Sequence, residues 1–160
     1  MYEPTVHIRK PLEQDVEQLA GLILRFYRFN EEFDPVYSVA EDAEEQARRL
    51  ASEYVSRRDL IVFVADFEGR VVGYVKGEVR ETPMLNVRKL GVLSELYVLP
   101  THRNMGVATR LIEEAAAHLS GRGVWYLAVE FPTINYVAER FYRKMGFRPY
   151  TSIYLRESRR

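Results

Sequence analysis

Between Glu95 and Thr109 the chain changes its hydrophobic period, and that change constrains the fold more than any other feature. Glu95-Leu96-Tyr97-Val98-Leu99 is mostly apolar and aromatic, as a strand is, and Pro100 has no N–H to give to a ladder, so pairing ends there. From Gly106 onward Ala108, Leu111, Ile112, Ala115 and Leu119 recur every three or four positions, which is one face of an amphipathic helix. A strand that turns directly into a helix leaves the N–H groups of Asn104, Met105, Gly106, Val107, Ala108 and Thr109 at the helix N-terminus. The first N–H groups of a helix have no intrahelical partner and the dipole is positive there, so the turn is suited to an anion. Gly106 removes a side chain where a phosphate would approach the backbone. The turn lacks the three glycines of a dinucleotide fingerprint and the Gly-Lys-Ser/Thr ending of a Walker loop.

The flanking segments supply the rest of the sheet. Val6–Arg9 reads as a short strand stopped by Pro11. Leu12, Val16, Leu19, Ile23 and Phe26 follow on a helical stripe, with Glu13 and Asp15 placed to favour the dipole in its first turn. Phe29–Pro35 breaks that helix, and Ser38-Val39-Ala40-Glu41 reads as a capping box opening a second, with Ala43, Ala47, Leu50 and Tyr54 as its stripe. Leu60–Ala65 and Val71–Arg80 make a hairpin, and Gly91–Leu99 is the strand already described. Val124–Phe131 hardly alternates, which predicts a central strand buried on both faces. Ile134, Val137, Ala138, Phe141, Tyr142 and Met145 form the last helical stripe, and Phe147–Leu155 alternates as a closing strand. The predicted order is β-α-α-β-β-β-α-β-α-β: one α/β domain over residues 1–160, a mixed β-sheet with helices packed on both faces.

Composition removes several functions. Lys+Arg and Asp+Glu both number 23, so bulk positive charge does not draw the chain to nucleic acid. No apolar run has the length of a membrane span and the first residues do not begin a signal peptide, which makes a cytoplasmic protein the expectation. The absence of cysteine excludes disulfides, cysteine zinc sites and a cysteine nucleophile. His7, His102 and His118 show no metal-ligand spacing, so no metal is expected.

Arg103-Asn104-Met105-Gly106-Val107-Ala108 matches Arg/Gln-x-x-Gly-x-Gly/Ala, and Leu96, Val98 and Pro100 precede it as Leu-x-Val-x-Pro. The composite resembles the acyl-CoA pyrophosphate loop of the GNAT superfamily of N-acyltransferases, with Ala108 where a glycine is more usual. The element order and both ends, Val6–Lys10 and Tyr142–Phe147, are similar to that family along nearly the whole chain. The resemblance implies acetyl-CoA as co-substrate and an amine acceptor. Such a reaction needs a route for the ammonium proton, since an alkyl amine has a pKa near 10, a donor for the carbonyl oxygen, and an acid for the leaving thiolate. With no cysteine, direct attack by the amine is favoured over a cysteinyl-enzyme.

By the same resemblance, Asn135 contacts the pantetheine or phosphate region and Tyr142 reaches the thioester sulfur as acid. The two lie nearly two turns apart on one helical face. Tyr142 also fits a plain core position and Asn135 a helix N-cap. Glu95 and Glu130 are charged residues in apolar strands and are the candidate bases; solvated strand-end carboxylates or ion pairs with arginine are the alternatives. The backbone of Leu96, Tyr97 and Val98 is the implied contact for the pantetheine arm, which can pair as an added strand would. Arg103 and Arg110 are candidates to neutralise phosphate. Phe26, Tyr27, Phe29, Glu31, Glu32, Phe33 and Asp34 combine aromatic walls with carboxylates suited to a cationic amine. A small-molecule amine, a lysine side chain and a protein N-terminus stay open as acceptors, as do a longer acyl group and a homodimer. A non-catalytic acyl-CoA-binding or regulatory domain on the same fold is the alternative.

Overall fold

The computed structural model describes residues 5–159. Its sheet grows from the hairpin of β2 (Leu60–Phe67) and β3 (Arg70–Glu81). Glu68 and Gly69 both take positive φ, 51° and 85°, the pair of left-handed residues whose twist matches a tight hairpin. The Asp66 carboxylate accepts the Gly69 N–H at 2.7 Å and fixes the turn. β1 (Val6–Arg9) pairs antiparallel with β2, β4 (Lys89–Val98) antiparallel with β3, and β5 (Leu127–Val129) parallel with β4. The spatial order is β1-β2-β3-β4-β5.

Alternation along the strands separates two faces. Val62, Val64, Tyr74, Lys76, Glu95 and Tyr97 share the face covered by α1 (Val16–Asn30) and α2 (Ala43–Ser56): Phe26 of α1 meets the Tyr74 ring edge-on and Tyr54 of α2 bonds Glu95. Phe63 points the other way, to His118 of α3 (Val107–Ser120). Gly91 lets α3 sit close, since a Cβ there would lie 2.5 Å from a Leu119 methyl. Val64, Val72, Tyr74, Val75, Leu19 and Leu111 are sealed in the shared core. Asp15, read from sequence as a dipole partner, has a larger structural role. It is 2% exposed, grips the Arg9 guanidinium at 2.7 and 2.9 Å, and accepts the Leu12 N–H, fastening the start of α1 to β1.

Three boundaries differ from the sequence expectation. The box at Ser38–Glu41 does not open α2; Ser38 closes a 3-10 turn over Pro35–Tyr37 that Asp34 caps, and α2 begins only at Ala43. The run Val124–Phe131 yields a strand of three residues at the sheet edge, not a central one, and Trp125 is 76% exposed. Phe147–Leu155 forms no strand, and residues 148–159 are all exposed. These last two have one cause. Without a strand on its far side β5 is an edge, and an unalternated apolar run does not state whether its second neighbour comes from the same chain. α4 (Tyr136–Lys144) is as expected, N-capped by Asn135. No helix of the described residues is long and apolar enough to cross a membrane.

Candidate active site

The site is built around β4, whose two edges have different fates. Pairing with β3 runs on to Val98, while pairing with β5 covers only Gly91–Leu93, and the Glu130 N–H bond to the Leu93 carbonyl (3.0 Å) is the last link. Beyond it the strands part. Leu99 turns its N–H to Val72 on β3, so the alternation of an extended strand directs the backbone groups of Val98 and Leu96 to the parted edge and those of Tyr97 towards β3. The register slips at Ser94, which places Glu95 opposite Lys76.

The cleft runs into the turn before α3. Pro100–His102 forms a 3-10 turn, Asn104 takes φ 61°, and Gly106 takes φ 75° and serves as the N-cap of α3. The earliest i→i−4 bond of α3 is Arg110 N–H to the Gly106 carbonyl at 3.1 Å. Among the described residues, the N–H groups from Asn104 to Thr109 have no protein acceptor. Consecutive backbone donors with a positive helix end form an anion cradle, and the Gly106 position opens on empty space within 4 Å. The residues present therefore fit a pyrophosphate. Neither arginine reaches into the cradle as a free cation. Arg103 donates through Nε to the Val98 carbonyl (2.9 Å), with its guanidinium over the Tyr97 and Phe29 rings. Arg110 donates to the Val6 carbonyl and ties α3 to β1.

Glu95 is 4% exposed. One carboxylate oxygen accepts the Tyr74 hydroxyl at 2.8 Å; the other accepts the Tyr54 hydroxyl and lies 4.0 Å from Lys76 Nζ. Burial pushes the carboxyl above its ordinary value, against the two hydroxyls and the Lys76 charge, which pull it down. Burial, and then the Glu95 charge, in turn push Tyr27 up to about 12 and raise Tyr54 and Tyr74. Sequence reading missed Tyr54, Tyr74 and Lys76. The signal was present: a tyrosine on an apolar stripe has a hydroxyl that needs a partner when buried, and Glu95 was the buried acceptor to look for.

Glu130 is in a different state. Its side chain is 42% exposed and accepts from Arg80 Nη2 at 2.9 Å, the ion-pair alternative that the sequence left open. Asn135 caps α4 by accepting the Ala138 N–H at 3.1 Å, which occupies its carbonyl oxygen. Tyr142 is 7% exposed, its ring walled by Phe131, Phe141 and Phe147, and burial holds its phenol protonated well above the usual range. Its hydroxyl makes no protein hydrogen bond among the described residues and is not sealed from solvent. Of the aromatic and acidic residues around the end of α1, Phe26 packs on Tyr74, Phe29 on Arg103 and Phe33 on Phe29, while Glu31, Glu32 and Asp34 face solvent and Asp34 caps the next turn.

A sheet that parts beside a donor-lined strand-to-helix turn defines the class: an α/β protein whose β4 has an open edge next to a turn of free N–H donors. Residues 24–147 match the model of the acetyltransferase (GNAT) family, and the chain belongs to that family, the acyl-CoA-dependent acetyltransferases. It is 27% identical over 143 residues to an uncharacterized N-acetyltransferase of Archaeoglobus fulgidus, covering 89% of this chain and 93% of that one. It is 26% identical to an uncharacterized N-acetyltransferase of Methanocaldococcus jannaschii, again over 89% of this chain but 61% of that protein's length. Among solved structures, an aminoglycoside N-acetyltransferase in complex with CoA shares the fold at TM-score 0.76 and 19% identity, over 98% of this chain and 97% of that one. A ribosomal-protein-alanine N-acetyltransferase from Brucella melitensis does so at TM-score 0.74 and 20% identity, over 96% and 99%.

Proposed function

We propose that this protein transfers an acetyl group from acetyl-CoA to a primary amine by direct attack, within the cytoplasm. One juxtaposition carries the reading: a single strand, β4, presents an open edge next to a cradle of unused N–H donors and carries a buried carboxylate in its middle. The N–H groups of residues 104–109 bind the pyrophosphate, and the edge groups of Leu96 and the Val98 N–H pair with the pantetheine amides. When bound, acetyl-CoA supplies the activated thioester. Arg103 fixes the mouth of the cleft by holding Val98, not by meeting phosphate.

Glu95 is the base of choice over Glu130, because its raised pKa brings it closer to the amine it deprotonates, whereas Glu130 is held in a 2.9 Å ion pair with Arg80. The proton leaves the ammonium for Glu95, directly or through one water. Tyr142 donates from its hydroxyl to the departing sulfur, a role that needs the phenol to remain protonated, as burial ensures. Asn135 retains its amide N–H groups for the cofactor while its oxygen caps α4. The solvent-facing Glu31, Glu32 and Asp34, with Tyr27 and Phe29, suit a cationic acceptor. The aminoglycoside and ribosomal-protein-alanine enzymes of the same fold bracket the range from small molecule to protein.

The test is CoA thiol release with a panel of amines, read by a thiol-reactive dye. The chain has no cysteine, so the dye reports only the product thiol. Amine-dependent release, with a mass gain of one acetyl group on the acceptor, supports transfer. Tight acetyl-CoA binding without release on any amine class favours the non-catalytic reading.

A further inference from the structure

A notch opens in the sheet where β1 stops short of the start of β2. β1 pairs with β2 only from Val64 onward and Pro11 follows it, so Leu60, Ile61, Val62 and Phe63 have no register partner on that side. The notch lies between the C-terminal ends of α2 and α3 and encloses about 430 Å³, a volume suited to a small molecule. Its floor is apolar, made by Val55 and residues 60–63. Its rim is basic: Lys10, Arg57, Arg58 and Arg122 line it, and no acidic side chain does. Arg57 is answered by Asp59 at 2.6 and 3.1 Å. Lys10, Arg58 and Arg122 enter no ion pair among the described residues. Tyr54 belongs to the wall as well, and its hydroxyl holds Glu95, so the notch is one side chain away from that carboxylate.

A cation at a helix C-terminus is ordinarily answered by the dipole. The two helix ends here supply about one unit of negative charge between them, and three unpaired cations converge on them, so the notch keeps a positive excess. His118, which lies edge-on to Phe63 in the same wall, feels it. After burial, the charges of Arg122 and Lys10 push its imidazole below the ordinary value, against the opposite pull of Glu114. We propose that the notch binds a small organic anion as a second ligand, its apolar body against the floor and its phosphate or carboxylate between Lys10, Arg58 and Arg122. Floor and rim together define that chemistry. An inorganic ion would leave the apolar floor uncovered, and a neutral body would leave the cations unanswered. The site lies across β3 from the open edge of β4 and does not depend on acyl transfer.

Naphthyl phosphate and naphthoate are the probes, titrated into the full chain with CoA in excess and followed by amide resonances. Inorganic phosphate and the uncharged naphthalenemethanol test the head and the body alone. The two anions should saturate and move the amides of residues 60–63, Val55 and His118, and each half alone should bind at least about tenfold more weakly. Arg58→Glu/Arg122→Glu reverses two exposed charges that hold nothing else in the fold; it should weaken naphthyl phosphate by about tenfold or more with the unfolding midpoint kept. Gly106→Val should leave this binding unchanged, which separates the notch from the cradle. Shifts confined to residues 104–109, equal binding of naphthalenemethanol, or undiminished affinity in the double reversal overturns the site. So does a response to heparin with none to either naphthyl anion, which would make the basic rim a surface for a polyanion.

Discussion

At the scale of single residues, Glu95 and Tyr142 are both buried and yet are held in opposite ways. Glu95 is gripped by two phenols and a nearby ammonium, whereas the Tyr142 hydroxyl has no protein partner among the described residues. Tyr142→Phe keeps the ring packing and should lower kcat by about 100-fold, the low end for a general acid, with acetyl-CoA affinity within twofold. Unchanged turnover would remove Tyr142 from the reaction. Tyr54→Phe deletes a bond that pulls the Glu95 carboxyl down, so the acid limb of kcat/KM should move to higher pH. If that limb stays where it was, Glu95 is not the base. The raised carboxyl also has a stability consequence of definite sign. The folded state binds the proton more tightly than the unfolded one, so stability is full below the unfolded value and is lost as pH rises through the folded one. Glu95→Gln should therefore unfold at a higher temperature than the natural chain at pH 8, with the gap closed at pH 4. A lower midpoint at pH 8 would mean that the buried charge stabilises the fold.

At the scale of elements, the strand-to-helix turn is what the sequence wrote most legibly. Pro100 and the switch from strand to helix spacing sufficed to place its ends, and Gly106 proves to have the positive φ that only glycine takes without strain. Gly106→Val should cost about 1–2 kcal/mol in stability from that φ alone and weaken acetyl-CoA binding by crowding the cradle; denaturant unfolding and calorimetric titration read the two separately. Asp15 was the less legible case. Helix rules explain an acid in a first turn, but nothing local tells that Arg9, across the turn, will close on it. Asp15→Asn leaves that guanidinium without its charge partner and should cost about 3 kcal/mol in chemical denaturation. Because Arg9 holds the Asp15 carboxyl below its usual range, the pair's contribution is present above the ordinary carboxylate pKa and is lost as pH falls through the depressed one.

At the scale of the whole molecule, the element order from β1 to α4 and the two-faced sheet followed from hydrophobic period and turn residues, because each period reports one buried face. The arginines could not be assigned that way. Arg103 and Arg110 flank a phosphate loop in sequence, yet both terminate on backbone carbonyls, of Val98 and Val6, and only the fold brings those carbonyls near. The last strand failed for the opposite reason: Phe147–Leu155 has the right alternation, but alternation does not name a partner. On this reading the open edge of β4 takes acetyl-CoA through the cradle at residues 104–109. A thermal unfolding scan with acetyl-CoA, and with NAD and ATP as controls, tests it most directly. At a hundredfold excess over its Kd a native-state ligand adds about 2.7 kcal/mol, which for a chain of this length raises the midpoint by roughly 5–11 °C. That rise is expected with acetyl-CoA alone and should be lost in Gly106→Val. No rise at saturating acetyl-CoA, or an equal rise with NAD or ATP, would contradict it.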